Sequence, residues 1–202
     1  MSLSRSDFQV ICDWIEPNSR VLDLGCGNGE LLQELSNNQG VSGYGIEIDD
    51  KNISQCLRAG VNVIQRDLDL GLSDFDEDSF DCVILSLTLQ ASNYPHRLLG
   101  EMLRVGAEGI VTIPNFGYIT SRIQLGLGGR MPVNKTLPLE WYTTTNIHLC
   151  TLKDFEELCD KLGIEILERR AVRHNHKSGP ALKLFPNLFG EIALYRFRKK
   201  TS

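Results

Sequence analysis

Val21-Leu22-Asp23-Leu24-Gly25-Cys26-Gly27-Asn28-Gly29 reads as an apolar strand that runs through Asp23 into a loop with glycine at every second position, before a helix opening at Glu30. Glycines at 25, 27 and 29 let the backbone bend tightly. Without Cβ atoms, a ligand can come against main-chain N–H groups at a helix N-terminus. Spacing narrows the ligand. A dinucleotide loop counted from Gly25 wants Gly or Ala at position 30, where this chain has Glu30. A phosphate-cradling Walker loop wants Gly-Lys-Ser/Thr, a tripeptide the chain does not contain. The pattern Asp-x-Gly-x-Gly-x-Gly suits S-adenosylmethionine, which has an amino-acid end and no phosphate: loop N–H groups for its carboxylate, Asp23 for its ammonium.

Outward from this loop, strand and helix patterns alternate. A short amphipathic helix spans Phe8 to Trp14, before the first strand at Arg20 to Leu24. Further strands are expected at Ser42 to Ile48, Val61 to Gln65, Phe80 to Leu87 and Gly109 to Ile113, with helices at Lys51 to Ala59 and His96 to Val105. The fourth strand is almost entirely apolar, as a strand covered on both faces should be. From Asn115 to Cys150 the rhythm breaks, with glycines at 117, 126, 128 and 129 and prolines at 132 and 138. Regularity returns with a helix at Leu152 to Leu162 and a strand at Ile164 to Val172. A polar loop holding His174 and His176 leads to a last strand at Ile192 to Arg198.

Strands alternating with helices imply β-α-β units with right-handed crossovers and a mainly parallel sheet, an α/β fold of Rossmann-like type. The ligand then lies beyond the strand C-termini, beside the first strand. Candidate cofactor residues fall at such ends. Glu47, 24 positions after Asp23, sits where a carboxylate can accept hydrogen bonds from both ribose hydroxyls. Asp67 can accept from the adenine amino group, while the N–H of Leu68 faces a ring nitrogen. With Asp23, Gly25, Cys26, Gly27 and Gly29 these form one constellation on three successive strand ends.

Length and composition bound the rest. A chain of 202 residues is enough for a full core in one domain, here 1–202 with an irregular insertion at about 115–150. No apolar run approaches the ~20 residues of a membrane span. The N-terminus lacks an apolar signal core, so a cytoplasmic location without membrane attachment is expected. Six cysteines with no C-x-x-C pair read as buried reduced thiols, not bridges or metal ligands. Net charge is -5, but residues 165 to 202 hold 9 Lys and Arg against 3 Asp and Glu, while residues 1 to 164 hold 12 against 23. A pI near 5.4 argues against a nucleic-acid footprint, leaving the basic tail as a solvated face or partner surface.

Methyl transfer needs in-line placement of the acceptor and, for an O–H or N–H acceptor, a nearby base. No such base is legible, so the catalytic residues are left unknown. The loops after the fourth and fifth strands hold hydroxyls, amides and rings, with Tyr94, His96, Tyr118 and His148 as the possible participants.

Ile-Pro-Asn-Phe-Gly at 113–117, Gly-Arg-Met-Pro-Val at 129–133, Glu-Trp-Tyr at 140–142 and Asn-Ile-His-Leu-Cys-Thr at 146–151 together resemble the methionine biosynthesis protein W (MetW) family. Leu87-Thr-Leu-Gln-Ala, Glu101-Met-Leu-Arg-Val and Asn187-Leu-Phe-Gly-Glu extend the resemblance over nearly the whole chain. Thr145 departs from it, where proline is expected. The resemblance implies a class I methyltransferase fold with a mostly parallel seven-stranded sheet, helices on both faces and an antiparallel C-terminal strand. It also implies S-adenosylmethionine or S-adenosylhomocysteine as cofactor, and a place in methionine synthesis beside homoserine O-acyltransferase (MetX-like).

Two functions compete. In one, the chain binds and activates the acyltransferase, with Arg130, Met131, Trp141 and Tyr142 as interface anchors. In the other it is a small-molecule methyltransferase, and 115–150 is a cover over its acceptor. Lack of a placed base favours the partner role, with a nicotinamide dehydrogenase as a third reading. Because S-adenosylmethionine is made from methionine, a site for it on an activator of an early step would report end-product level.

Overall fold

The computed structural model describes residues 5–173 and 180–200; the loop histidines His174 and His176 lie outside these. The strands are β1 (Arg20–Leu24), β2 (Ser42–Glu47), β3 (Val63–Gln65), β4 (Phe80–Ser86), β5 (Gly106–Pro114), β6 (Ile164–Val172) and β7 (Ile192–Lys199). They form one sheet in the order β3-β2-β1-β4-β5-β7-β6. The first five pair in parallel, and β7 inserts antiparallel between β5 and β6. The reversal between β1 and β2 on one side and β4 on the other opens a crevice above the C-terminal end of β1.

Helices α1 (Ser6–Trp14), α2 (Glu30–Gln39), α3 (Asp50–Arg58), α4 (Pro95–Val105), α5 (Ile119–Gly126), α6 (Leu152–Lys161), α7 (Pro180–Leu184) and α8 (Pro186–Phe189) complete the chain. Successive strand residues point to opposite faces, which sorts the apolar residues into two cores. Leu22, Leu24, Val83, Leu85, Val111 and Ile113 pack with Leu98, Leu99 and Met102 of α4 and Phe155 of α6. Val21, Cys82, Ile84, Ile110 and Leu194 pack on the other face with Ile11 and Trp14 of α1 and Leu31 and Leu35 of α2. Thr151 starts α6 with a capping box: its hydroxyl accepts the Asp154 N–H, and the Asp154 carboxylate accepts the Thr151 N–H.

The fold class is the one expected, with local differences. Residues 119–126 form a helix inside the segment expected to be irregular. Ile-Thr-Ser-Arg-Ile-Gln-Leu-Gly is β-branched and glycine-ended, so its propensity is weak. It is held from outside: Arg122 Nε donates to the Gly117 carbonyl at 2.5 Å and Asn134 Nδ2 to Ser121 Oγ at 3.2 Å. Two short helices, α7 and α8, precede the last strand where a loop was expected. The third strand starts at Val63, two residues late, and the fifth begins at Gly106, three residues early.

Candidate cofactor site

Strand phase explains the site. Asp23 is in phase with Val21, Ser86 with Cys82 and Ile84, and Thr112 with Ile110, so all three lie on the α1 face where its apolar rows end. Register brings them side by side: Asp23 is opposite Ile84, and Ser86 opposite Thr112. The chain before α1 covers this polar row. Arg5 is bidentate on Asp7, through Nε at 3.1 Å and through Nη2, and Nη2 also donates to Ser86 Oγ at 2.8 Å. Ser86 Oγ lies 3.2 Å from Thr112 Oγ1, closing the network.

Asp23 is 2% exposed, and its Oδ1 is a buried oxygen with no hydrogen-bond partner among the described residues. Burial is the main reason its pKa is pushed up to about 7; nearby Arg5 pulls it down and Glu47 adds to the rise. An orphaned buried carboxylate oxygen is costly, and a cation or hydrogen-bond donor reaching it would relieve that cost.

The glycine loop is closed largely by the chain's own acceptors. Gly25 and Cys26 donate to the Ile46 carbonyl at 2.8 and 3.0 Å, and Gly29 to the Cys26 carbonyl at 3.0 Å. The Gly27 N–H donates to Glu47 Oε2 at 2.8 Å. Glu47 Oε1 meanwhile accepts from Ile48 at 2.8 Å and Asp49 at 2.9 Å. The N–H groups of 25, 26, 27 and 29, expected for a ligand carboxylate, are therefore all engaged. A carboxylate offers about four lone-pair sites, so Glu47 keeps roughly one for a ligand hydroxyl. At Gly25, φ is +69°, and an added Cβ would fall 2.8 Å from Thr88 Oγ1. Only glycine lets that turn come so near the wall opposite. Gly27 also has positive φ, with open space where a Cβ would be, and Cys26 turns its buried thiol inward to 3.9 Å from Cys56.

A cleft of about 270 Å³ opens beside this loop, lined by Gly25, Glu47, Asp67 and Leu68 together with Arg66, Asp69, Thr88, Ala91 and Ser92. Four of the sequence-derived residues thus share one cavity. Asp23 lies buried, while Cys26, Gly27 and Gly29 shape the turn without lining the cleft. Asp67 caps a short 3-10 turn at Leu68–Leu70 through Asp69 N–H at 2.9 Å. Sequence reasoning missed Asp69, Thr88, Ala91 and Ser92. Asp69 accepts from Ser92 Oγ at 3.0 Å and Asn93 N–H at 2.9 Å, tying the two walls of the cleft together. The signal that could have found Thr88, Ala91 and Ser92 is the polar run after the fourth strand, read only for a base; Asp69 stands two positions after Asp67.

None of the suggested proton acceptors lines the cleft. Tyr94 and His96 are exposed at the start of α4, with Arg97 over the Tyr94 ring, and His148 is exposed on the irregular segment. No residue of that segment lines the cleft either. It carries Leu127 at 86%, Trp141 at 70% and Tyr142 at 69% exposure, with Met131, Leu139 and Ile147 also exposed. Arg130, Met131, Glu140 and Trp141 line a separate groove of about 640 Å³.

Sheet order, reversed seventh strand, glycine turn and acids at the strand ends define the class I methyltransferase fold. Solved structures bear this out: the chain is similar to S-adenosylmethionine-dependent methyltransferases from Mesorhizobium loti (TM-score 0.68, 16% identity, 95% of this chain and 96% of that one) and Thermotoga maritima (TM-score 0.67, 18% identity, 96% and 88%). Within that class, the family described as methionine biosynthesis protein MetW matches residues 5–197, and the chain belongs to it. A relative from Rhodopirellula baltica, named bifunctional methionine biosynthesis protein MetXA/MetW, is 37% identical over 171 residues, or 80% of this chain and 27% of the relative. A probable tRNA (uracil-O(2)-)-methyltransferase of Caenorhabditis elegans is 33% identical over 44% of this chain and 15% of its own. The chain thus spans about a quarter or less of the curated relatives it matches. Among the described residues no helix is long and apolar enough to cross a membrane.

Proposed function

We propose that the cleft binds S-adenosylmethionine or S-adenosylhomocysteine, and that the chain acts in methionine synthesis as partner and activator of a homoserine O-acyltransferase. In this reading Asp23 takes the ammonium, Glu47 a ribose hydroxyl, and Asp67 with the Leu68 N–H the adenine edge. Gly25 keeps the turn free of side-chain atoms beside Thr88. The residues present fit the group, because the unpartnered Asp23 Oδ1 belongs to a buried carboxyl that an arriving cation would ionise and complete. Bound S-adenosylmethionine would supply a sulfonium methyl.

The observation that carries the partner role is the exposure of Trp141 and Tyr142, with Met131 on the same groove as Trp141 and Leu127 exposed on the same segment. Large rings and an Arg on one segment are typical interface anchors, and exposed apolar surface of this kind marks a docking face. The name of the bifunctional relative, which joins MetXA and MetW, supports an acyltransferase as the occupant. Titrating homoserine O-acyltransferase with this protein, with and without S-adenosylhomocysteine, tests both halves. Binding that rises or falls with the cofactor supports an end-product sensor; identical affinities remove the sensor, and no binding removes the partner role.

A methyltransferase acting on a small acceptor is the second reading. It is favoured by Asp7, a buried carboxylate joined to the polar row through Ser86, although Arg5 already occupies both its oxygens. Transfer of a tritiated methyl group to any product in a cell extract would support it.

A further inference from the structure

We propose that the turn from Leu87 to Ser92 couples cofactor occupancy of the cleft to the segment that carries the exposed aromatic anchors. This rests on the reading of the cleft as an S-adenosyl site and adds how that site reaches the docking face. Thr88, Ala91 and Ser92 form one wall of the cleft. Gln90, between them, is buried and faces the other way in its contacts: its carbonyl accepts the N–H groups of Ile147 at 2.9 Å and His148 at 3.0 Å. Among the described residues, these are the hydrogen bonds by which residues 138–149 reach beyond themselves. One short turn is therefore cofactor wall on one side and anchor for the segment of Trp141 and Tyr142 on the other.

The turn is poised to respond. Leu87 has φ +52°, a region a leucine rarely adopts and which persists only where surrounding bonds impose it. Those bonds are identifiable. The Leu87 N–H donates to the Thr112 carbonyl at 3.0 Å, and the Gln90 side-chain Nε2 donates to the Leu87 carbonyl at 2.6 Å. Gln90 Oε1 is left buried and unpartnered, so the turn is not at its best-satisfied arrangement. At its far end the turn is tied through Ser92 and Asn93 to Asp69, which stands on the opposite wall. A nucleoside held between the Leu68–Leu70 turn and residues 88–92 stiffens both walls and with them the Gln90 carbonyl. A carbonyl that moves less holds two donated N–H groups more firmly. Linkage then requires that whatever holds residues 146–149 in place tightens the cofactor by the same factor.

Hydrogen exchange of the full chain, with and without saturating S-adenosylhomocysteine, reads the two amides directly. Exchange at Ile147 and His148 is expected to slow about 5-fold or more on binding. In parallel, Ile147→Pro removes one of the two donors at a residue outside the cleft and is expected to weaken S-adenosylhomocysteine several-fold by calorimetry. Calorimetric binding with unchanged exchange at both amides overturns the coupling and leaves the cofactor site standing. No binding by calorimetry overturns the cofactor reading and the coupling with it. If Ile147→Pro does not fold, the exchange measurement on the unaltered chain decides.

Discussion

Replacing Asp23 with Asn should make the protein more stable while abolishing cofactor binding. Burial raises the Asp23 pKa from its ordinary 3.8 to about 7, so folding favours the protonated form. For a carboxyl raised in this way, the favourable contribution is complete below the unfolded pKa and is lost as pH climbs through the folded one. Relative to the fully protonated group, the cost of holding the charge reaches about 4 kcal/mol above pH 8, at ~1.4 kcal/mol for each pH unit that separates the folded from the unfolded value. At pH 5 it is about 1.5 kcal/mol, because only the unfolded chain has ionised. The Asp23→Asn side chain is neutral at every pH and keeps the shape. The melting-temperature advantage of the variant should therefore grow between pH 5 and 8.5 by the equivalent of ~2.5 kcal/mol, roughly 5 to 10 °C for a chain of this size. Differential scanning fluorimetry across that range measures it. S-adenosylhomocysteine should raise the melting temperature of the parent and leave the variant unmoved. Parallel pH curves for the two proteins would refute the buried-charge argument; an unaltered ligand shift would refute the ammonium role.

The same titration makes S-adenosylhomocysteine affinity depend on pH: about tenfold weaker at pH 6 than at pH 8, and flat above, as calorimetry would show, because binding needs the ionised form of a group at about 7. Glu47→Gln should lower both stability, by about 2 kcal/mol, and ligand affinity, since one amide nitrogen would confront a backbone N–H among those of Gly27, Ile48 and Asp49. A melt and a calorimetric titration that both match the parent would rule this out. Trp141→Asp, at a largely exposed ring, should cost the acyltransferase complex more than about tenfold in affinity with a melting temperature within about 2 °C of the parent. An unaffected complex would move the docking face elsewhere.

The sheet was legible because its signal is local. An apolar run such as Phe80–Ser86 has no other stable place than the middle of a sheet covered on both faces. The glycine turn was legible for the same reason: alternate glycines state a backbone path in three residues. Helix 119–126 was not, since it is fixed by Arg122 and Asn134 reaching across the loop, not by its own propensity. Glu47 was placed at the right strand end, but its three backbone donors come from Gly27, Ile48 and Asp49, and only folding brings Gly27 to it. The Arg5–Asp7–Ser86 network spans about 80 positions and left no trace in the sequence beyond the polar residues breaking each strand's alternation. Asp69 and Ser92 likewise meet only because the loops after β3 and β4 face one cleft.

Three features of this chain work against stability, and their placement is informative. A carboxylate is buried with one oxygen unpartnered at Asp23. A leucine is held at positive φ at position 87. Large apolar groups stand in water at Leu127, Trp141 and Tyr142. Each has a simple remedy, since Asn, Gly and any polar residue would remove the respective cost. Asp23 and Leu87 belong to strands β1 and β4 and the turns that follow them, on the two sides of the crevice, and Gln90 joins that turn to the segment bearing the exposed rings. Costs with no structural benefit accumulate at functional sites, where a ligand or a partner supplies the missing contact. On the proposed function an ammonium would complete Asp23, a nucleoside would brace the turn after Leu87, and a protein surface would cover the rings. The three costs are then relieved together only when cofactor and partner are bound at once, so the doubly bound state, not the free chain, would be the one in which Asp23, Leu87 and the exposed rings all meet their counterparts.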